Sequence, residues 1–328
     1  MRWRPRILCL GGAVIDRKLQ AFQPIRPGTS NPARSTLGFG GVARNVAENL
    51  ARLGAEVRFA SCVGDDPAGS ALVDHLAALG VDVGSVRTVK GAATAEYIAL
   101  LQPDGSLHVA AADMAILDRI YGPLVDEAMA SARHADWLFA DCNAPAEVLA
   151  SLAGQARESG VRLALDVISV PKAMRLPLDL TGVACLFLNR DEATALLGGQ
   201  GDAKAASGEP AALAAALRAR GAAAVVLTLG ADGCMANDGA GPVHVAAAPA
   251  AVVDVTGAGD AMIAATLLAL GHGLPLAGAV HFGTIIAART VASPLSVDDT
   301  LSPALVDAFL SGETSGRTLS RFSESQRP

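Results

Sequence analysis

The run Asp254-Val-Thr-Gly-Ala-Gly-Asp260 stands directly before an apolar stretch of helical length, Ala261–Leu270. Gly257 and Gly259, with only the small Ala258 between them, let the backbone come close to a bound group. The first N–H groups of the following helix have no intrahelical acceptor, and with the helix dipole they attract an anion. Asp260 falls in the first turn of that helix. Like charges repel, so a carboxylate beside an anion cradle suits a base that takes the proton of an attacking hydroxyl better than a group that binds the anion. Taken alone, the run also reads as a plain loop-to-helix junction with an Asp cap.

Other polar residues cluster at the ends of apolar runs. Asp16 follows the first run, and a carboxylate there can accept two hydrogen bonds in a fork. Gly38-Phe-Gly-Gly-Val-Ala-Arg-Asn45, which contains the Gly40-Gly41 pair, leads into a helical stretch that closes at Leu53-Gly54. Asn143 follows Trp137–Asp141, and Asn189-Arg-Asp-Glu192 follows Cys185–Leu188. Thr228 ends Ala224–Thr228, and Gly230 and Gly233 follow it in Thr228-Leu-Gly-Ala-Asp-Gly233. Singly, these are turn glycines, caps or surface polar groups; Asn189 with Glu192 three residues on is an ordinary capping arrangement. Their joint placement carries weight because α/β sheets bind ligands outside the carboxyl ends of their strands.

The elements that must position these residues follow from the pattern. Strands are expected at Arg6–Leu10, Val57–Val63, Trp137–Asp141, Arg162–Asp166, Cys185–Leu188 and Ala224–Thr228. Helices are expected at Ala43–Leu53, Gly69–Ala78, Ala146–Glu158, Glu192–Leu197 and Pro210–Arg220. This alternation predicts an α/β fold with a parallel sheet covered on both faces. Two stretches break the rhythm. Arg17–Phe39 has prolines and little helical period, and Ala95–Leu101 with Leu107–Ala111 reads as a hairpin turning at Pro103-Asp104-Gly105. Together they form a small β-rich lid, from about residues 12–40 and 92–113, inserted in a domain of residues 1–310; the tail at 311–328 reads as disordered.

The bulk numbers exclude several classes. The 328 residues are 51% hydrophobic and 18% charged, enough for one large core. The net charge of −6, with no dense Lys/Arg block, speaks against nucleic acid as a partner. No run approaches the length of a membrane span. Arg2, Arg4 and Arg6 before Ile7–Ile15 mimic a secretion signal, but Gly11-Gly12 interrupts the run and it leads straight into Asp16, so a buried first strand is the reading. The five cysteines are scattered without metal-type spacing and read as reduced thiols of a cytoplasmic protein. Gly11-Gly12 after the first strand invites a dinucleotide-binding reading, but the G-x-G-x-x-G spacing is absent.

Asp254–Asp260 resembles the C-terminal signature of the ribokinase-like (PfkB) carbohydrate and nucleoside kinases, and Gly38–Asn45 resembles their N-terminal signature. The resemblance runs from about Ile7 to about Phe309 with its motifs in the family's order. It implies a three-layer α/β/α sandwich with a mainly parallel sheet, transfer of a phosphoryl group from ATP with Mg²⁺, and Asp260 as the base. Carried over by position, it implies that Asp16, Gly40, Gly41, Asn45 and Asn143 contact a sugar. It implies that Asn189, Thr228, Gly230 and Gly233 lie along the nucleotide and that Glu192 holds Mg²⁺ through water, which suits the ion's preference for carboxylate and water oxygens. Asp254 and Thr256 match a monovalent-cation loop, so K⁺ is implied as well.

Gly40–Gly54, Thr94–Leu101, Ala112-Asp-Met114 and Ala140-Asp-Cys-Asn143 are similar to the pseudouridine kinases of that family, although those proteins usually have Asn where this chain has Ala112. A C-linked uracil presents an extra ring N–H, which Asp113 on the lid hairpin could accept; Asp113 equally reads as the start of the next helix. The substrate expectation is therefore the 5′-hydroxyl of a nucleoside, pseudouridine first. Other sugars or nucleosides, and a relative that binds without catalysis, are the alternatives. A bare lid edge favours pairing with a second copy, so a homodimer through the lid is expected.

Overall fold

The computed structural model describes residues 3–120, 122–199, 201 and 208–312. The expected disordered tail lies outside these residues from 313 onward.

Each short apolar run becomes a strand of one nine-stranded sheet. In chain order these are β1 (Arg6–Leu10), β4 (Glu56–Gly64), β5 (Asp82–Val89), β8 (Trp137–Asp141), β9 (Leu163–Asp166), β10 (Val183–Asn189), β11 (Val225–Thr228), β12 (Cys234–Asn237) and β13 (Pro242–Val245). The spatial order is β13-β12-β11-β10-β9-β8-β1-β4-β5. From β5 to β11 every pairing is parallel, and β12 and β13 add an antiparallel edge. Alternate side chains point to opposite faces. Ile7, Cys9, Phe139 and Phe187 face one apolar layer, and Leu8, Leu10, Leu138 and Leu186 face the other. Both faces are buried, which is why these strands read as continuous apolar runs.

One face is covered by α1 (Val42–Arg52), α2 (Pro67–Ala78), α8 (Ala258–Gly271), α9 (Leu276–Val291) and α10 (Pro303–Leu310). The other carries α3 (Pro123–Ala132), α4 (Ala146–Ser159), α6 (Arg190–Gly199) and α7 (Pro210–Ala219), with a short α5 (Val170–Ala173) between β9 and β10. This is the expected three-layer arrangement. The six expected strands and the expected helices all form, with ends shifted by a few residues.

A second, four-stranded sheet stands apart, in the order β3-β2-β6-β7. It comprises β2 (Val14–Ala21), β3 (Ala33–Gly40), β6 (Ala95–Leu101) and β7 (Leu107–Asp113). Its placement corrects one expectation: Asp16 lies within β2 rather than at the end of β1. The chain turns at Gly11–Ala13 and re-enters an extended conformation, so the carboxylate is carried by the small sheet.

Candidate active site

Asp141 organises the sugar end. Wholly buried at the tip of β8, its carboxylate accepts N–H bonds from Gly12 at 3.0 Å, Ala43 at 2.9 Å and Asn143 at 3.0 Å, and a side-chain bond from Asn143 Nδ2 at 3.1 Å. A carboxylate accepting this many donors ties the turn after β1, the start of α1 and the end of β8 into one unit. The glycines follow from the crowding. A Cβ on Gly11 would fall on the Asp141 carboxylate, one on Gly40 on the Asp16 carboxylate, and one on Gly41 on the Gly12 carbonyl. Gly41 also has φ of 93°, a conformation that favours glycine.

The opposite wall is the start of α8. Gly257 has φ of 80°, and a Cβ there would strike the Ser296 carbonyl. The first α-type bond runs from the Ala261 N–H to the Gly257 carbonyl at 2.9 Å, so the amides of Gly259 and Asp260 precede it in the first turn. A Cβ on Gly259 would meet nothing within 4 Å, which leaves open space above the turn. Every residue of α8 from Asp260 to Ala269 is buried, so the helix cannot rotate to bring Asp260 to water. Asn45 Nδ2 donates to Asp260 Oδ2 at 2.6 Å. Burial raises the Asp260 carboxyl to about 7; the Asn45 bond and the Arg44 charge oppose this, while Asp141 and Asp16 add to it. Burial likewise raises Asp16, against Arg44 and Lys18.

Asp16, Gly40, Gly41, Asn45 and Asn143 are thus gathered around Asp260 through Asp141, Arg44 and Asn45. Asn143 Oδ1 accepts a bond from Lys172 Nζ, and Arg175 Nη1 donates to the Asn143 carbonyl at 2.6 Å.

On the nucleotide side, a cavity of about 170 Å³ is lined by Asp166, Ile168, Asn189, Glu192, Thr228, Gly259 and Asp260, among others. It shares Asn189 and Thr228 with a groove of about 310 Å³ that runs over Leu229, Gly230 and Asp232. Asn189 and Glu192 form a reciprocal cap. The Asn189 N–H and Nδ2 donate to the Glu192 carboxylate at 2.9 and 2.7 Å, and the Glu192 N–H donates to Asn189 Oδ1 at 2.9 Å. Gly233, with φ of 89°, packs where a Cβ would strike the Val245 carbonyl.

Four residues of this site carried no expected role: Asp141, Asp166, Arg44 and Lys172. Asp166, at the tip of β9, is raised well above the carboxylate range by burial and by the charges of Asp260, Glu192 and Asp141. Beside it, Ile168 is the one non-glycine residue with positive φ among the described residues, at 69°. A β-branched side chain is strained there, and such strain gathers at functional sites. An apolar run ending in Asp was the only sequence signal for Asp141 and Asp166.

Asp113 stands outside the buried cluster, whereas Thr256 lines a cavity of about 500 Å³ together with Asp16 and Arg44. Asp113 ends β7, an edge strand, and is exposed; the turn after it begins at Met114, so Asp113 does not cap it either. Asp254 Oδ1 accepts from the Thr256 N–H and hydroxyl at 2.9 and 2.7 Å, and Asp254 Oδ2 already has a cation, Lys18 Nζ, at 3.1 Å. Among the described residues no group of three or more His, Cys, Asp or Glu side chains could hold a metal ion. All five cysteines are free and buried, and no helix among the described residues is long and apolar enough to cross a membrane.

The description "pfkB family carbohydrate kinase" matches residues 4–302. The chain is 32% identical over 283 residues to the pseudouridine kinase of Escherichia coli K12, covering 86% of this chain and 89% of that one. It is 29% identical over 312 residues to the guanosine-inosine kinase of Exiguobacterium acetylicum, covering 93% and 99%. In structure it is similar to the Arabidopsis thaliana ribokinase solved with ribose and ATP, with a TM-score of 0.78 at 22% identity over 94% of this chain and 99% of that one.

Proposed function

The chain belongs to the pfkB family of carbohydrate kinases, and on that premise we propose that it transfers the γ-phosphoryl group of ATP to the 5′-hydroxyl of a nucleoside, pseudouridine first. One observation carries the reading: a buried carboxyl, raised to about 7, in the first turn of a helix where Gly259 leaves open space for an anion. A base poised near neutral pH is suited to take a proton from a hydroxyl as the bond to phosphorus forms.

The substrate sugar lies between Asp16, Gly41, Asn45 and Asn143, with its hydroxyl toward Asp260. Asp260 accepts the hydroxyl proton while the hydroxyl oxygen attacks phosphorus in line with the departing ADP oxygen. The Gly257–Gly259 turn offers its amides to the transferring group, where stabilising the developing charge accelerates the reaction most. Asn189, Thr228 and Gly230 border the groove for the nucleotide, and Gly233 closes the turn beside it, its N–H donating to the Gly230 carbonyl. Asp166 and Glu192 fit a divalent cation, because burial destabilises both as anions, Asp260 and Glu192 repel Asp166, Asp191 repels Glu192, and a cation in their shared cavity relieves this. Magnesium, when bound, neutralises phosphate charge. The Asp254–Thr256 turn fits potassium less well, since Lys18 already neutralises its carboxylate.

Pseudouridine stands first because the relative named for it aligns at 32% over most of both chains. A purine nucleoside is the second reading, favoured by the guanosine-inosine kinase that aligns over 93% of this chain. An ADP-release assay with pseudouridine, uridine, inosine, ribose and fructose tests both. Turnover is expected to be fastest with pseudouridine, to persist without potassium and to stop when EDTA removes magnesium. A clear preference for inosine overturns the substrate assignment; ATP hydrolysis that no nucleoside or sugar stimulates overturns the reaction. Comparing Asp113→Ala with wild type on pseudouridine and uridine in the same assay decides the base contact: an unchanged kcat/KM ratio removes Asp113 from it.

A further inference from the structure

Arg44, on α1 next to Asn45, is 2% exposed and heads the large side chains that are fully buried. A guanidinium out of reach of water needs an acceptor for each donor. Arg44 Nε donates to the Gly40 carbonyl at 3.2 Å, and Nη2 to the Phe39 carbonyl at 2.5 Å and to Asn45 Oδ1. Nη1 reaches Glu48, one turn along the helix. Glu48 in turn accepts from Arg52 Nε at 2.9 Å and contacts His75 Nε2 at 3.0 Å.

These contacts settle two matters at the candidate base. The first is the orientation of the Asn45 amide. Its oxygen and nitrogen occupy similar space, but Arg44 can only donate. Oδ1 must face the guanidinium, which turns Nδ2 onto Asp260 Oδ2. A reversed amide would set N–H against N–H on one side and oxygen against carboxylate on the other.

The second is charge. Asp260 faces Asn45 and Arg44 from α1, Asp16 from β2 and Asp141 from β8, and its charge is felt by Asp166 on β9. Arg44 is the cation among the largest effects on Asp260. Asp16 also feels Lys18, which pairs with Asp254 and lines one cavity with Asp16 and Arg44.

We propose that Arg44 is a positioning residue for the base: it orients the Asn45 amide toward Asp260 and places a countercharge beside the carboxylates of Asp260 and Asp16. The assignment rests on the reading of Asp260 as the base. A purely structural clamp on the Phe39 and Gly40 carbonyls would need neither effect.

The test is a pH titration of the substrate-free protein with ¹³C-carboxyl-labelled aspartate, followed by NMR. The Asp260 signal is the one missing from Asp260→Asn. In wild type its midpoint is expected at about 7. Arg44→Met is expected to raise it by about one unit or more, a tenfold change in ionisation. Glu48→Gln, which frees Arg44 from its competing partner, is expected to lower it. Arg44→Lys keeps the charge but not the fork. It should hold the midpoint near wild type while kcat on the fastest substrate of the panel falls at least tenfold with KM little changed. If Arg44→Met does not fold, the double variant R44M/E48Q carries the test, since it removes the buried pair as a unit; its midpoint too should lie above wild type. An unmoved midpoint in Arg44→Met, or in the double variant in its place, overturns the countercharge role. Wild-type kcat in Arg44→Lys overturns the orienting role. An inactive Asp260→Asn beside an unmoved midpoint confines the failure to Arg44, whereas an active Asp260→Asn overturns the base reading and this inference with it.

Discussion

Asp260 is held where its charge is least welcome. Burial raises the carboxyl from 3.8 to about 7, so folding disfavours its ionised form. The sign of the consequence follows from linkage. The protonated carboxyl costs nothing below the unfolded value, and stability is lost as pH rises from about 4 to about 7. Asp260→Asn keeps a carbonyl oxygen for the Asn45 amide and has no charge to bury. It should therefore melt with wild type near pH 4 and increasingly above it as pH rises, levelling off past about 7, with a gap of at most roughly 4 kcal/mol. Thermal melts across that range check this, and identical melting at pH 8 contradicts it. The helix start that carries Asp260 was the most legible feature in the chain, because Gly257, Gly259 and the apolar run behind them mark it. Asp141 and Asp166 were not legible. Each is a single Asp at the end of an apolar run, and what sets them apart is the convergence of strand ends, which no local pattern records. Asn189 and Glu192 show the opposite case, where the plain capping arrangement is what forms and any contact with ligand is additional to it.

At the scale of elements, the site depends on how tightly α8 is seated. The helix is buried on all sides from Asp260 to Ala269, and its partner α9 approaches it through Gly283. A Cβ on Gly283 would strike Thr266 Oγ1 and lie 2.9 Å from the Met262 carbonyl. Gly283→Ala gains helix propensity of about 1 kcal/mol. The collision, partly with backbone, should outweigh that gain and leave a net loss of about 1–2 kcal/mol in denaturant unfolding. A stabilised Gly283→Ala would show that the two helices have slack. This packing also explains what the pattern missed. Leu276–Val291 has buried residues on most sides and small ones between, so no single apolar stripe announces a helix. Asp82–Val89 and Pro242–Val245 are mostly exposed edge strands with no continuous apolar run. The central strands, buried on both faces, were read almost to the residue.

At the scale of the whole molecule, two sheets meet at the site. The large one brings strand ends together, and the small one supplies Asp16 and Lys18. The outer strand of the small sheet, β7, is exposed along its full length and shows Leu107 and Val109 to solvent. Unpaired, partly apolar edges favour association with a second copy. The expected outcome is a dimer by light scattering, reduced to the monomer mass by Val109→Lys, which places like charges where two edges would meet. A wild-type monomer at assay concentrations removes the lid-to-lid dimer.

The claim on which the rest depends is that Asp260 takes the proton of the hydroxyl being phosphorylated. Its most direct measurement is the ADP-release rate of wild type and Asp260→Asn with saturating ATP, magnesium and pseudouridine across pH 5–9. The account predicts wild-type turnover that falls as pH drops below about 7, in step with protonation of Asp260, and loss of about 10²–10⁴-fold in Asp260→Asn. Near-normal turnover in Asp260→Asn would contradict it.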